Sequence, residues 1–230
     1  MPRRPPLAWA DGEGWIVLIG GGDRRHGELD EITAHILSRV NLDRPILVLL
    51  AEGSEGEAAD ILDHYTALGG PGGYTLVLEG VEDERLHRPD FLDLIAEAGL
   101  LHLEGDPVRL TQALRRSPAL GRIVAAFATM QGLTLVGFGG GARALGAWAG
   151  SPARDTLADR GLNFVHQTLI VPHFTGTENH PDLRTLLTHH PQALGLGLPD
   201  GSALALGPRG EVESWGEAAI TAIVKMPNED

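Results

Sequence analysis

The chain has 230 residues, 31 acidic against 18 basic, a formal net charge of −13, 43% hydrophobic content and no cysteine. That length and apolar share suit one α/β domain with a buried core. So acidic a surface repels phosphate backbones and anionic membranes, which excludes general nucleic-acid binding, and the missing cysteine excludes disulfides, thiolate-ligated zinc and a thiol nucleophile.

A proline-rich arm, 1–14, and a tail, 226–230, are expected to be loose around a single domain over 15–225. The basic start Met1-Pro2-Arg3-Arg4-Pro5-Pro6 precedes an apolar run too short and too late for a signal peptide. No apolar stretch approaches the ~20 residues that span a bilayer, so a cytoplasmic location is expected.

Trp15-Ile16-Val17-Leu18-Ile19 reads as a strand running into Gly20-Gly21-Gly22. A helix over 29–40 follows, with Ile32, Ile36, Leu37 and Val40 on one face. Residues 45–50 read as the second strand and 55–68 as a helix closed by Gly69-Gly70. Next come a strand over 74–78, a helix over 90–98 and a strand over 100–103 that leads into Glu104-Gly105-Asp106. Pro107 suits the first turn of another helix, since its missing N–H would be unpaired there. A helix over 120–130 and a strand over 133–136 complete this half. Strands apolar on both faces and alternating with helices predict a parallel sheet covered on both sides. Beyond residue 165 shorter strands are expected over 167–171, 193–198, 202–206, 212–215 and 218–224, with Pro199-Asp200-Gly201 as a turn. They read as a mixed sheet edge or a hairpin extension of the same domain.

The strand over 133–136 runs directly into Gly137-Phe138-Gly139-Gly140-Gly141-Ala142 and a helix-like stretch, 143–149. A strand, a sharp glycine-rich turn and a helix make the geometry of a nucleophile elbow, whose small residues let strand and helix pass closely. Such turns also serve phosphate binding and tight packing. The dinucleotide fingerprint fails at Ala142, and no Lys-Ser/Thr pair follows to make a P-loop.

The segment 137–142 resembles the G-x-S-A-G-A elbow of the peptidase E and cyanophycinase family of serine peptidases. Leu103-Glu104-Gly105-Asp106 resembles that family's G-G-N or G-G-D turn, and Ile170-Val171-Pro172-His173-Phe174-Thr175 its histidine segment. Asp182-Leu183-Arg184-Thr185-Leu186-Leu187 and the stretch 194–201 resemble its Arg-bearing helix and glycine-punctuated strand, while Gly20-Gly21-Gly22 and 49–54 stand where cyanophycinases have G-G and T-A-S. The resemblance runs from 15 to 206 with all pieces in family order. It implies an α/β three-layer sandwich of the flavodoxin-like, class I glutamine amidotransferase-like kind, mostly parallel, with a β-rich C-terminal extension.

Carried over, Gly139 stands in the place of the nucleophilic serine and His173 in that of the base; Gly105 and Gly140 would supply oxyanion N–H groups. Asp155 is the expected acidic partner of the histidine, with Asp159 in competition. Gly139 has no side chain, and losing such a nucleophile costs on the order of a millionfold in kcat. Ser38, Ser54, Ser117, Ser151, Ser202 and Ser214 lie outside any elbow, and only Ser54 is expected near the carboxyl end of a parallel strand.

Glu104, Asp106 and Arg143 are the candidate ligand-binding residues. Glu104 either points into the oxyanion region or, by strand alternation, out to solvent. Arg143 pairs with Glu104, holds a ligand carboxylate, or lies on the surface, the usual place for arginine. The spacing of His166, His173 and His180 matches no zinc pattern, so neither metal nor cofactor is expected. His26 and His102 read as ordinary surface or strand-end residues.

Three functions remain open at this point. The first is a degenerate homologue that binds a small molecule or short peptide in the old cleft. The second is a hydrolase in which His173, with Asp155 or Glu104, activates water directly. The third is a structural or interaction protein with a collapsed pocket. A homodimer is a further open alternative.

Overall fold

The computed structural model describes residues 7–129, 132–154 and 156–225. The tail 226–230, the arm's first six residues, Met130 at the end of one expected helix, and Asp155 lie outside them.

The first half holds β1 (Ala8–Trp9), β2 (Ile16–Ile19), α1 (Asp30–Leu37), β3 (Ile46–Leu50), α2 (Glu55–Ala67), β4 (Gly73–Val77) and α3 (Pro89–Glu97). It continues through β5 (Leu100–Glu104), α4 (Pro107–Arg115), α5 (Ala119–Ala128), β6 (Thr134–Phe138) and α6 (Gly140–Leu145). The remainder is β7 (Val165–His166), β8 (Thr168–Pro172), α7 (Pro181–His189), β9 (Leu194–Leu198), β10 (Ser202–Leu206), β11 (Val212–Gly216) and β12 (Thr221–Ile223).

A seven-stranded sheet in the order β11-β10-β2-β6-β5-β3-β4 forms the centre. From β2 to β4 every pairing is parallel, while β10 and β11 add an antiparallel edge. Alternation along the strands splits their apolar side chains between two layers. Ile16, Leu18, Leu47, Leu49, Leu101 and Leu103 face Ile95, Leu110, Ile123 and Phe127 of α3, α4 and α5. Val17, Ile19, Val48, Leu50 and Val136 face Ile32 and Ile36 of α1 and Ile61 and Tyr65 of α2. The molecule is thus an α/β three-layer sandwich with a mostly parallel sheet and further strands toward its C-terminus, as expected.

The helix ends follow local chemistry. Ser54 caps α2 with its hydroxyl on the Glu57 N–H, and Glu57 reaches back to the Ser54 N–H at 2.7 Å, a closed capping box. Gly69, at φ 92°, then turns the chain so that the Gly70 N–H donates to the Tyr65 carbonyl at 2.9 Å. Asp106 caps α4, accepting from the Arg109 N–H at 2.6 Å, with Pro107 in the first turn.

Three expectations are corrected. The C-terminal strands do not form one edge: β10 and β11 join the main sheet, while β8, β9 and β12 make a separate three-stranded sheet in the order β12-β9-β8. The helix expected over 143–149 is α6, which begins at Gly140 and ends where the Arg143 carbonyl accepts from Gly146. The described part of the arm is docked, not loose. Its β1 pairs antiparallel with β7, and the Trp9 Nε1–H donates to the Gly207 carbonyl at 3.1 Å. Among the described residues no helix is long and apolar enough to cross a membrane.

Candidate active site

Four strands deliver the site at their carboxyl ends, where open α/β sheets bind ligands. β6 delivers Gly139 and β2 delivers Gly20-Gly21, while β8 and β9 deliver His173 and Asp200 just beyond their last residues. The two sheets are joined there by backbone. His173 N–H donates to the Gly20 carbonyl and Gly201 N–H to the Gly21 carbonyl, each at 3.0 Å, and Gly139 N–H donates to the Ile19 carbonyl at 3.0 Å.

Gly139 has φ 53° and ψ −115°, a left-handed bend between β6 and α6 that disfavours any residue with a side chain. The turn is tight all round. A Cβ on Gly137 would fall 2.7 Å from the Ala142 backbone, and one on Gly141 would strike the Leu103 carbonyl. At Gly139, by contrast, a Cβ would meet only the His173 Nε2, 3.5 Å away. The bend and the imidazole expected from sequence therefore do come together, with room for a side chain between them.

The partner of His173 is Asp200, whose Oδ1 lies 2.7 Å from the imidazole Nδ1. Neither side chain is buried: His173 is 60% and Asp200 56% exposed, so this pair faces solvent. His173 itself is left-handed at φ 52°, one of few non-glycine residues so strained. Gly21 makes the pair fit, because a Cβ there would stand 2.1 Å from Asp200 Oδ1 and 2.5 Å from His173 Nδ1.

Of the carboxylates expected beside His173, Asp155 lies outside the described residues. Asp159 is engaged elsewhere, accepting from Thr156 Oγ1 at 2.5 Å and the Ser151 N–H at 3.1 Å, and pairing with Arg154 at 3.2 Å. In the sequence Asp200 stands in a turn and at the end of the glycine-punctuated stretch 194–201, with no role at the site assigned to it. The signal that finds it is the parallel pairing of β8 with β9, Pro172 opposite Leu198, which sets the residues after both strands side by side.

Gly105 and Gly140 are adjacent, so close that a Cβ on Gly140 would strike the Gly105 carbonyl. Gly105 holds φ 100° against the Ala51 and Glu52 backbone, where only glycine fits. Asp106 is occupied as the cap of α4. Ser54, the one serine expected near a strand end, is tied to Glu57 in its capping box. Among the described residues no hydroxyl bonds to His173.

Neither expected orientation of Glu104 describes it. Arg24 approaches its carboxylate at 2.5 Å and the His102 Nε2 lies 3.0 Å away. His102 is no surface residue: it is 1% exposed, and its Nδ1 lies 3.1 Å from the Tyr65 hydroxyl. Burial lowers the His102 pKa and raises that of Tyr65, so at neutral pH the imidazole is uncharged and the phenol keeps its proton. Burial also pushes Glu104 up, but His102 and Arg24 outweigh it and hold the carboxyl below its ordinary range. One tautomer fits: Tyr65 donates to Nδ1, and Nε2–H donates to Glu104. The Arg24 guanidinium also lies 3.9 Å from the centre of the Phe138 ring, beside the bend.

The Arg143–Glu104 pair is not formed, and Arg143 is not a surface residue. It donates to the Ala149 and Gly150 carbonyls at 2.8 and 2.7 Å and pairs with Asp182 of α7 at 2.7 Å. A cavity of about 670 Å³ opens over α2, with Gly22, Arg24, Glu104, Asp60 and His64 in its wall; Gly139, His173 and Asp200 do not line it.

No protein-family model matches the chain, and no curated protein matches it. Among solved structures it is similar to a crystal structure of a peptidase from an acI-B1 Actinobacterium, 19% identical over 94% of each chain with a TM-score of 0.70. The likeness is one of fold alone, an α/β sandwich around a mostly parallel sheet.

Proposed function

We propose that the chain is a degenerate member of the peptidase E and cyanophycinase type, binding a small peptide or amino-acid-like ligand beside His173 without covalent catalysis. The observation that carries this reading is the contact at the bend. The His173 Nε2 faces Gly139 at the distance of an ordinary Cβ contact, and Gly139 offers no hydroxyl. Base and orienting acid are otherwise in the arrangement that activates a serine, Asp200 on Nδ1 and Nε2 toward the nucleophile's place. Arg24, which lies over the Phe138 ring, also lines a cavity of ligand size.

Gly139→Ser is the test. Hydrolysis of Asp-X dipeptides should rise at least ~100-fold over the wild-type chain. The melting temperature should fall, since a serine at φ 53° carries backbone strain of ~1–2 kcal/mol. If Gly139→Ser stays inert while folded, the inherited machinery is not there.

A second reading rests on the same Nε2. With Asp200 fixing the tautomer, the imidazole is free to take a proton from water. Wild-type hydrolysis well above that of His173→Ala would favour this reading over a silent scaffold.

A further inference from the structure

Resting on the function proposed above, we infer that Tyr65, His102, Glu104 and Arg24 form a positioning chain for the bend. The chain holds Phe138 and, through it, the approach of Gly139 to His173. Its links follow one another across three parts of the fold. The Tyr65 hydroxyl of α2 lies 3.1 Å from His102 Nδ1, and His102 Nε2 lies 3.0 Å from the Glu104 carboxylate at the end of β5. Glu104 in turn accepts from both terminal guanidinium nitrogens of Arg24, at 2.5 and 3.4 Å.

Strand register explains why these links meet at Phe138. His102 stands opposite Val136 and Leu103 opposite Gly137, so alternation puts His102, Glu104, Val136 and Phe138 on the same face of the sheet. The His102 ring stacks with Phe138, 6.4 Å between centroids and 28° between planes, and the Arg24 guanidinium lies 3.9 Å from the ring centre. Two members of one hydrogen-bonded chain thus hold the residue that immediately precedes the bend. Arg24 also belongs to the segment after β2, two residues beyond Gly22. In that segment the Gly20 and Gly21 carbonyls accept from the N–H groups of His173 and Gly201, each at 3.0 Å. One guanidinium therefore ties the backbone before Gly139 to the backbone that holds His173.

The chain does more than fill space. The layer around it is packed by Val48, Leu50, Ile61 and Val136, and an apolar side chain at position 102 would fill the same volume with no polar group to satisfy. Buried polar and ionic groups are commonly no more stabilising than apolar residues of similar size. What a satisfied network adds is rigidity and a single arrangement of its members. Here Tyr65 and His102 are both buried, and each ring nitrogen of His102 has its own partner.

Two variants that keep every charge test this role. Arg24→Lys retains the cation but loses the planar face over Phe138 and the two-nitrogen grip on Glu104. Tyr65→Phe removes one hydroxyl at the far end of the chain. In both folded proteins the amide resonance of Gly139 and the imidazole resonances of His173 should shift, more in Arg24→Lys than in Tyr65→Phe. Asp83→Asn, a destabilised variant outside the chain, should leave them in place. In the Gly139→Ser background, Arg24→Lys should lower kcat for Asp-X dipeptides ~10-fold and leave KM within about twofold, the effect of misplacement rather than lost binding. A raised KM with kcat unchanged would make Arg24 a ligand contact and overturn the positioning role. Resonances of Gly139 and His173 that stay put in both folded variants would overturn it equally. Should Gly139→Ser prove inert, the resonances decide alone, so the loss of the proposed function and the loss of the positioning chain are read separately.

Discussion

A histidine whose Nδ1–H donates to a carboxylate is held in one tautomer, and the lone pair on its other nitrogen then points wherever the ring points. In His173 that direction is Gly139, so the residue at this one position decides whether the imidazole meets a side-chain hydroxyl. Asp200 was hidden in the sequence because nothing in Pro199-Asp200-Gly201 distinguishes a base's partner from a turn. Gly139 was legible because an elbow is a local pattern of small residues, and local patterns survive without knowledge of tertiary contacts. His102 was misread for the same reason in reverse, since only packing against Tyr65 and Phe138 reveals it as buried. A separate carboxylate governs acid stability. The Arg85 side chain, then the Glu79 and Arg85 N–H groups, hold the pKa of Asp83 down to about 2 from an ordinary 3.8, against the opposing effect of burial. Being depressed in the folded state, it adds stability above the unfolded value that is lost as pH falls through the folded one. Asp83→Asn should cost roughly 2 kcal/mol at neutral pH. Urea melts should show the difference from wild type narrowing between pH 4 and 2; a constant difference across that range would contradict it.

At the scale of elements, the parallel strands were readable from their doubly apolar faces and the start of α4 from Pro107, whereas Ser54 and Asp106, read as a serine near the site and a ligand residue, turn out to be helix caps. The division of the C-terminal strands was not. The short runs 194–198 and 202–206 look alike, yet β9 pairs with β8 while β10 pairs with β2. Pairing partners distant in sequence are chosen by how the faces pack, which periodicity alone does not encode. The Gly20-Gly21 crossing is where this division becomes chemistry, because it bonds the end of β2 to the segments after β8 and β9. Gly21→Ala places a methyl group within 2.5 Å of both His173 and Asp200. It should keep the fold, at a cost of ~1–3 kcal/mol, and separate the two side chains. The imidazole resonances of His173 should shift, and any hydrolysis gained by Gly139→Ser should fall ~100-fold, the usual effect of a misplacement near 1 Å. Unaltered imidazole spectra in a folded Gly21→Ala chain would refute the packing argument.

Over the whole molecule, the N-terminal segment is the element whose role composition most concealed. Proline-rich and basic at its start, it suggests a free arm, but tertiary pairing overrides that from Ala8 onward. Trp9 and Ala10 pack on the main core, and Ala10 N–H donates to the Phe164 carbonyl at 2.8 Å. Removing residues 1–12 should cost roughly 2–4 kcal/mol from lost backbone bonds and apolar burial. A thermal melt equal to that of the full chain would mean the segment is dispensable.

The placement of His173 and Asp200 just beyond strands of the small sheet, and of Gly139 just beyond one of the large sheet, has a consequence for what a change at the bend costs. On the reading proposed above, exchanging a serine for glycine at the bend deletes one hydroxyl and relaxes a left-handed residue. It opens no void in either layer and strips no ion of its counterpart, because the imidazole keeps its carboxylate. On that reading, losing the nucleophile here carries no folding penalty, and a chain without the hydroxyl can be as robust as one that has it.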